Sequence, residues 1–296
     1  MTDSVKERCT KWRRNMPKTL YISDLDGTLL NSSKELSPFT RETLNKFISM
    51  GGHFSVATAR TAASTTKILA DLDVKVPAVL MNGAVIYDLR SERYIKTESI
   101  PEDKARMVID IINEYGISGF MYVIRNGILV TYYENLKTRQ MREFHDERVQ
   151  RYYKSFEQVE SFIHKSAENN VIYFTLIDEY EGLSCVYNEL KDRGGIDMTL
   201  YKDIYEPELW YLEIYSINAS KFNAVSFLRR EYGYDRVVGY GDNNNDIPMQ
   251  KACDEFYAVA NGVEQLRALS TAVIGSNSDD GVARHILERE MAMDKC

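Results

Sequence analysis

Two hydrophobic patterns alternate along this chain of 296 residues. Short apolar runs are separated by longer stretches whose apolar residues recur every three or four positions. The first pattern predicts buried strands, and the second predicts helices that bury one face. The strands are predicted at residues 20–23, 53–58, 77–81, 236–240, 256–260 and 272–274. Because strands that alternate with helices form parallel sheets, we expect an α/β fold with a doubly wound parallel sheet.

The pattern differs between residues 87 and 215, where strand-like runs follow one another directly. Residues 120–124 and 128–133 are joined by Arg125-Asn126-Gly127, and Asn-Gly between two such runs is a strong hairpin signal. Helix-like stretches, among them residues 156–165, lie between the strands. The middle of the chain is therefore predicted to be an α+β domain with an antiparallel sheet, inserted into the parallel fold.

These patterns divide the chain into a core, an insert and an extension. Residues 19–86 and 216–296 are predicted to form the core, and residues 87–215 the inserted domain. Residues 1–18 are rich in Lys and Arg and lack the apolar stretch of a signal peptide, so we expect a flexible, solvated extension.

Composition narrows the class of protein. With 44% hydrophobic residues, 27% charged residues and a net charge of −7, the chain is an ordinary globular protein without the basic character of a nucleic-acid binder. Its apolar runs are shorter than the 18 or more residues of a membrane span. Four scattered cysteines indicate neither a disulfide framework nor a zinc site, which is typical of a cytoplasmic protein.

Polar side chains follow several of the predicted strands. Asp24 and Asp26 come directly after the first strand, Thr58 ends the second, and Asp242 follows the first strand after the insert. The carboxyl ends of parallel strands meet at one edge of the sheet, where such folds bind ligands. Carboxylates there suit Mg²⁺, and Thr58 with Lys221 would suit a tetrahedral dianion. Asp26-Gly27 is also common turn chemistry, so a plain solvated turn is the alternative.

Four segments together resemble the motifs of the haloacid dehalogenase-like (HAD) phosphatase superfamily. They are Asp24-Leu25-Asp26-Gly27-Thr28-Leu29, Thr58, Ser220-Lys221 and Gly241-Asp242-Asn243-Asn244-Asn245-Asp246. The insert, Asn82-Gly83-Ala84 and Ala260-Asn261-Gly262 further resemble the Cof-type subgroup. This resemblance implies a Rossmann-like core, a large α/β cap that sets substrate specificity, and a Mg²⁺-dependent phosphatase of sugar-phosphate-like metabolites.

The resemblance also implies roles for individual residues. Asp24 would be the nucleophile that forms an aspartyl-phosphate, and Asp26 the acid and then the base. Thr58, Lys221 and Asn245 would bind the phosphoryl oxygens. Mg²⁺ would be held by Asp24, Asp242 and the backbone carbonyl of Asp26, supported by Asp246. Arg60 and Asn82 are candidates for substrate contacts, and the expected partner is a small phosphorylated metabolite rather than a nucleic acid or a membrane.

Two positions depart from the subgroup pattern. Ala59 stands where glycine usually follows the threonine, and Phe222 stands where glycine usually follows the lysine. No catalytic position is lost, so activity is expected. The alternatives are a phosphosugar mutase on the same core, which would keep water from the aspartyl-phosphate, and a non-catalytic sensor of a phosphorylated metabolite.

Overall fold

The computed structural model describes residues 17–152, 155–168, 170–202 and 209–293. The predicted basic extension lies outside these residues except for Pro17 and Lys18. Packing divides the described residues into two compact units, and the first contains residues 17–57, 71–76 and 225–293. The second contains residues 58–70 and 77–224. The core and insert boundaries given above remain a prediction.

The strands are β1 (Thr19–Ser23), β2 (His53–Val56), β3 (Ala78–Leu80), β4 (Val85–Asp88), β5 (Arg93–Thr97), β6 (Gly119–Arg125), β7 (Ile128–Tyr133), β8 (Ser155–Gln158), β9 (Val171–Asp178), β10 (Ile196–Lys202), β11 (Trp210–Ser216), β12 (Arg236–Gly241), β13 (Glu255–Val259) and β14 (Ala272–Ile274). The helices are α1 (Pro38–Ser49), α2 (Ala62–Ile68), α3 (Glu102–Glu114), α4 (Arg139–Tyr152), α5 (Phe162–Glu168), α6 (Tyr180–Leu190), α7 (Lys221–Tyr232), α8 (Ile247–Ala252), α9 (Glu264–Leu269) and α10 (Gly281–Met293). None of the helices in the described part of the chain has the length and apolar character needed to cross a membrane.

The first unit is built on a parallel sheet with strand order β14-β13-β12-β1-β2. Strand β1, which lies between β12 and β2, buries Leu20 and Ile22 completely. Helix α1 begins where the Ser37 hydroxyl accepts a hydrogen bond from the Thr40 amide at 3.0 Å, with Pro38 at the first helical position, a combination typical of helix starts. The predicted α/β fold with a parallel core sheet is therefore confirmed.

The second unit contains a six-stranded sheet with order β10-β11-β9-β6-β7-β8. All neighbours are antiparallel except β7 and β8. One face carries Met121, Phe174 and Leu212, which share an apolar core with helices α3, α5 and α6. The predicted hairpin forms between β6 and β7, with Asn126 at φ 53° and Gly127 at φ 77°.

Residues 77–81 were expected to extend the parallel sheet, and this expectation is wrong. Strand β3 instead starts a separate antiparallel sheet with order β3-β4-β5. The reason is the turn Met81–Gly83, in which Met81, Asn82 and Gly83 have φ of 51°, 54° and 99°. Three successive positive φ values reverse the chain, so Leu80 pairs with Val85.

Two further segments of the second unit differ from expectation. Residues 156–165 do not form one helix. Strand β8 pairs with β7 and directs Phe156 against Phe120, with ring centroids 5.5 Å apart, before α5 begins at Phe162. Helix α4 gave no clear sequence signal because Met141 and Phe144 are its only buried residues among those described.

Candidate active site

The two strands that deliver acidic residues are neighbours in the parallel sheet. Strand β1 lies between β2 and β12, and Ser23 pairs with Tyr240. Asp24 directly follows β1, where its amide donates to the Tyr240 carbonyl at 2.9 Å, and Asp242 directly follows β12. The chain order therefore changes direction at β1, the type of position where open α/β sheets bind ligands.

Three carboxylates converge at this edge. One oxygen each from Asp24, Asp242 and Asp246 lies within 4.8 Å of the others. Asp24 and Asp246 are 5% and 0% exposed, and buried carboxylates that approach one another favour a cation between them. An all-oxygen donor set of this kind fits a divalent metal ion such as Mg²⁺.

The turn after Asp24 makes the approach of Asp242 possible. Residues Leu25–Leu29 form an irregular helical turn in which the Leu30 amide donates to the Leu25 carbonyl at 2.9 Å. Gly27 has φ 78°, and a Cβ atom there would lie 2.4 Å from Oδ2 of Asp242. Glycine is therefore required at position 27 for both its backbone angle and its lack of a side chain.

Asp26, the residue before this glycine, is exposed and has an extended backbone. Its side chain is therefore accessible beside the acidic cluster.

Asp242 is held by contacts from two directions. The Thr28 hydroxyl donates to Oδ1 of Asp242 at 2.9 Å, and the Val263 amide donates to the backbone carbonyl of Asp242 at 2.8 Å. The Asn261 amide group donates to the Gly27 carbonyl at 2.8 Å, which fixes the facing turn. Thr28 and Asn261 were part of the motifs quoted above, but sequence reasoning gave neither of them a role.

Asp246 orients the loop that carries Asp242. Its Oδ2 accepts hydrogen bonds from the amides of Asp242 and Asn243 at 3.0 and 3.2 Å. A Cβ at Gly241 would lie 2.6 Å from the same oxygen. Asp246 was expected to support the metal ligands, and one of its carboxylate oxygens also belongs to the acidic cluster. Asn245 lies exposed in the short turn Asn244–Asp246.

The remaining predicted site residues belong to the second unit, where the backbone brings them together. The Asn82 amide donates to the Thr58 carbonyl at 3.1 Å, and the Met81 amide donates to the Arg60 carbonyl at 3.0 Å. The Arg60 amide also donates to the Thr58 hydroxyl at 3.2 Å. Thr58 is 1% exposed, so its hydroxyl is fixed rather than solvated.

Lys221 is held against the same turn. A Cβ at Gly83 would lie 2.3 Å from the Ser220 carbonyl and 3.0 Å from the Lys221 amide nitrogen. The Ser220 hydroxyl accepts from the Asn223 amide at 3.1 Å, which caps helix α7. Lys221 is 1% exposed, and a buried ammonium needs anionic or polar partners. Phe222, which departs from the subgroup pattern, is 41% exposed.

Comparison with known proteins places this arrangement in a family. The sequence profile of the haloacid dehalogenase-like hydrolases matches residues 21–286. Pyridoxal phosphate phosphatase YbhA of Escherichia coli K12 is 26% identical over 277 residues, which cover 92% of this chain and 98% of that protein. The 5-amino-6-(5-phospho-D-ribitylamino)uracil phosphatase YitU of Bacillus subtilis 168 is 23% identical over 285 residues, which cover 91% of this chain and 96% of that protein.

A solved structure has the same fold. A haloacid dehalogenase-like hydrolase from Bacteroides thetaiotaomicron superposes with a TM-score of 0.75 at 22% identity, over 91% of this chain and 98% of that one. The family profile and the phosphatase relatives confirm the resemblance to the Cof-type subgroup and the prediction of a phosphoric monoester hydrolase. The chain belongs to the family of haloacid dehalogenase-like hydrolases.

Proposed function

We propose that the protein hydrolyses small, sugar-phosphate-like phosphomonoesters through an aspartyl-phosphate on Asp24. The observation that carries this proposal is the convergence of the Asp24, Asp242 and Asp246 carboxylates within 4.8 Å at the ends of adjacent strands. The motif resemblance supplies the roles of the individual side chains, and the family supplies the reaction class.

The reaction divides into two steps. A carboxylate oxygen of Asp24 attacks phosphorus, so that an O–P bond forms while the bond to the leaving oxygen breaks, and Asp26 gives its proton to that oxygen. Water then attacks the phosphorus of the aspartyl-phosphate, the O–P bond to Asp24 breaks and restores its carboxylate, Asp26 takes up a proton from the water, and inorganic phosphate leaves. The exposure of Asp26 in the turn after β1 supports this role as acid and then base.

The metal would be held by the carboxylates of Asp24 and Asp242 and by the carbonyl of Asp26. When bound, Mg²⁺ offsets the negative charge of the phosphoryl group and of Asp24. Asp246 keeps Asp242 in place through the two backbone amides described above. Since the protein carries a net charge of −7, an anionic substrate needs such local positive charge.

Phosphoryl oxygens would be bound by Thr58, Lys221 and Asn245. The Thr58 hydroxyl accepts a hydrogen bond from the Arg60 amide, which leaves its own hydrogen to donate to a phosphoryl oxygen. Arg60 and Asn82 would contact the rest of the substrate. Phosphoryl transfer depends mainly on positioning and charge stabilisation, so this small set is sufficient for catalysis.

The decisive experiment is phosphate release from a panel of sugar phosphates and 4-nitrophenyl phosphate with Mg²⁺. We expect turnover by the unmodified protein and a loss of about 10³-fold or more in Asp24→Asn. Asp110→Asn, at an exposed position of α3, serves as the control. A folded protein that releases no phosphate would contradict the function, and interconversion of phosphosugar isomers without release would indicate a mutase.

A further inference from the structure

One face of the six-stranded sheet is polar and aromatic rather than aliphatic. Tyr122 pairs with Tyr173, and Tyr173 pairs with Tyr215. Paired residues and residues two positions apart lie on the same face of a sheet. We call the polar part of this surface the tyrosine–glutamate face; it comprises Tyr122, Tyr173, Thr175, Thr199, Tyr201, Glu213 and Tyr215. Phe120, Ile177 and Tyr211 lie on the same side of the sheet.

The opposite face shows what an ordinary buried surface of this sheet contains. Leu212 and Ile214 alternate with Glu213 along β11 and join the apolar core beneath helices α3, α5 and α6. On the tyrosine–glutamate face, Tyr173 and Glu213 are also buried, at 3% and 9% exposure. Burial alone therefore does not account for the polar groups there, because aliphatic residues would be buried at lower cost.

Glu213 is the centre of the hydrogen bonding on this face. Its Oε2 accepts from the Tyr173 hydroxyl at 2.6 Å and from the Asn82 amide group at 3.3 Å. Its Oε1 accepts from the Tyr201 hydroxyl at 3.2 Å. A carboxylate can accept about four hydrogen bonds, so these three described donors leave it capacity for one more.

The position of Glu213 is electrostatically unfavourable for a carboxylate. Burial raises its pKa above the usual value, while hydrogen bonds from Tyr173 and Tyr201 and the charge of Arg148 act in the opposite direction. Replacing a buried charged group by an apolar residue of similar size is often neutral or stabilising. Stability alone is therefore a weak reason for a carboxylate at this place, and ligand binding is a stronger one.

Tyr201 is the most exposed tyrosine of the tyrosine–glutamate face. Its side chain donates to Oε1 of Glu213 and is 39% exposed, whereas Tyr122, Tyr173 and Tyr215 are all below 9%. Once its hydrogen is directed at Glu213, the Tyr201 oxygen can still accept a hydrogen bond. The accessible part of the face therefore offers acceptors, and a ligand there must bring donors.

Asn82 joins this face to the residues proposed to bind phosphate. Its side chain donates to Glu213 and to the Tyr173 hydroxyl, both at 3.3 Å. Its backbone amide donates to the Thr58 carbonyl at 3.1 Å, and the adjacent Gly83 lies against Ser220. Asn82 therefore connects Glu213 to the backbone beside Thr58 and Lys221, the two residues of this unit that are proposed to bind phosphate.

We propose that Glu213, with Tyr201, selects substrates whose leaving group carries hydrogen-bond donors, that is, hydroxyl or amino groups, over aryl phosphates that have none. This inference rests on the proposed phosphatase function, because it concerns the leaving group of the same reaction. A site built to pair with donor groups discriminates strongly against analogues that lack them, since its buried polar atoms then remain unpaired.

The test compares two substrates in three variants. Sorbitol 6-phosphate carries several hydroxyl donors in its leaving group, and 4-nitrophenyl phosphate carries none. In Glu213→Gln we expect kcat/KM for sorbitol 6-phosphate to fall by about 10- to 100-fold more than that for the aryl phosphate, mainly through KM. Tyr201→Phe should change the same ratio in the same direction by a smaller factor.

The control is Glu157→Gln, which removes a carboxylate of the same sheet at its surface ion pair with Arg125. It should leave the ratio of the two substrates unchanged. If Glu213→Gln lowered kcat/KM equally on both substrates, Glu213 would only support the fold. If it lowered kcat/KM on neither substrate, the proposal would also be contradicted. Tyr201→Phe covers the case in which Glu213→Gln fails to fold.

A binding measurement separates this inference from the proposed function. Calorimetric titration of Asp24→Asn and of Asp24→Asn with Glu213→Gln measures affinity for intact sorbitol 6-phosphate without turnover. We expect the second protein to bind at least tenfold more weakly. If the unmodified protein releases no phosphate but this difference is found, the hydrolytic function fails while the recognition site stands. Equal affinities would contradict the recognition site whatever the outcome of the phosphate assay.

Discussion

At the scale of single residues, glycine and buried charged side chains determine the geometry of the candidate site. Gly27 allows the Asp242 carboxylate to come within 2.4 Å of where a Cβ would stand. Lys221 and Asp246 are 1% and 0% exposed, so their charges act in surroundings where water screens them little. Each of these features depends on one side chain, so a single substitution can test it directly.

Gly27→Ala should impair both stability and turnover. The substitution places a Cβ at φ 78° and against Asp242, so the left-handed backbone becomes strained by about 1–2 kcal/mol and the acidic cluster must open. We expect kcat/KM to fall at least tenfold, together with a lower melting temperature.

Gly233→Ala is the matched control for this backbone effect. Gly233 has φ 63°, and no described atom lies within 4 Å of its Cβ position. It should lower the free energy of unfolding by a similar backbone contribution without changing kcat/KM. Equal losses of turnover in the two variants would show that the contact with Asp242 is unimportant.

At the scale of elements, a partly buried ion pair connects helix α10 to strand β13. The Arg289 guanidinium donates to both carboxylate oxygens of Glu255, at 2.6 and 2.7 Å. The Tyr257 hydroxyl donates to Glu255 at 2.6 Å, and Arg236 also pairs with it. Hydrogen bonding from Arg289 is the main cause that lowers the pKa of Glu255 from 4.5 to about 2.

This ion pair predicts a particular dependence of stability on pH. Because the pKa is lower in the folded protein than in the unfolded chain, the contribution of Glu255 is complete above about pH 4.5 and is lost as the pH falls toward 2. With a side chain 15% exposed, the contribution is at most about 3 kcal/mol. Glu255→Gln should therefore lower the urea midpoint more at pH 7 than at pH 3.

Glu42→Gln is the comparison variant, since Glu42 lies exposed on α1 of the same unit. It should shift the urea midpoint little at either pH. If Glu255→Gln lowered the midpoint equally at pH 7 and pH 3, the ion pair would not be the source of the pH dependence.

At the scale of the whole molecule, metal binding and folding are linked. Asp24 is far from Asp242 and Asp246 in the sequence, and only the folded chain brings its carboxylate within 4.8 Å of theirs. A ligand that binds only the folded state stabilises it by about 2.7 kcal/mol when present at 100 times its dissociation constant. The net charge of −7 further favours a bound cation.

Mg²⁺ should therefore raise the melting temperature measured by scanning calorimetry, and EDTA should reverse the shift and stop phosphate release. Asp242→Asn should remove most of the shift because one metal ligand loses its charge, whereas Asp110→Asn should keep it. A shift of the same size in both variants would place the binding of Mg²⁺ elsewhere on the molecule.

Local patterns in the sequence were sufficient for a large part of this architecture. The short apolar runs before Asp24 and Asp242 predicted β1 and β12, because buried strands consist of such runs. Asn126-Gly127 predicted the hairpin between β6 and β7, because the conformation of a tight turn depends on neighbouring residues. Helix α4 was missed because it buries only Met141 and Phe144 among its described residues, which leaves little periodicity to detect.

What the sequence by itself determined is the alternation of strands and helices in the parallel core, the family, and the acidic residues at the strand ends, all of which depend on local chemistry. Tertiary structure alone decided that β1 lies beside β12, that β3 pairs with β4 rather than with the parallel sheet, and that Asn82 contacts Glu213, 131 residues further along. Such pairings depend on the packing of distant segments, and no local pattern of hydrophobic and polar residues specifies which segments meet.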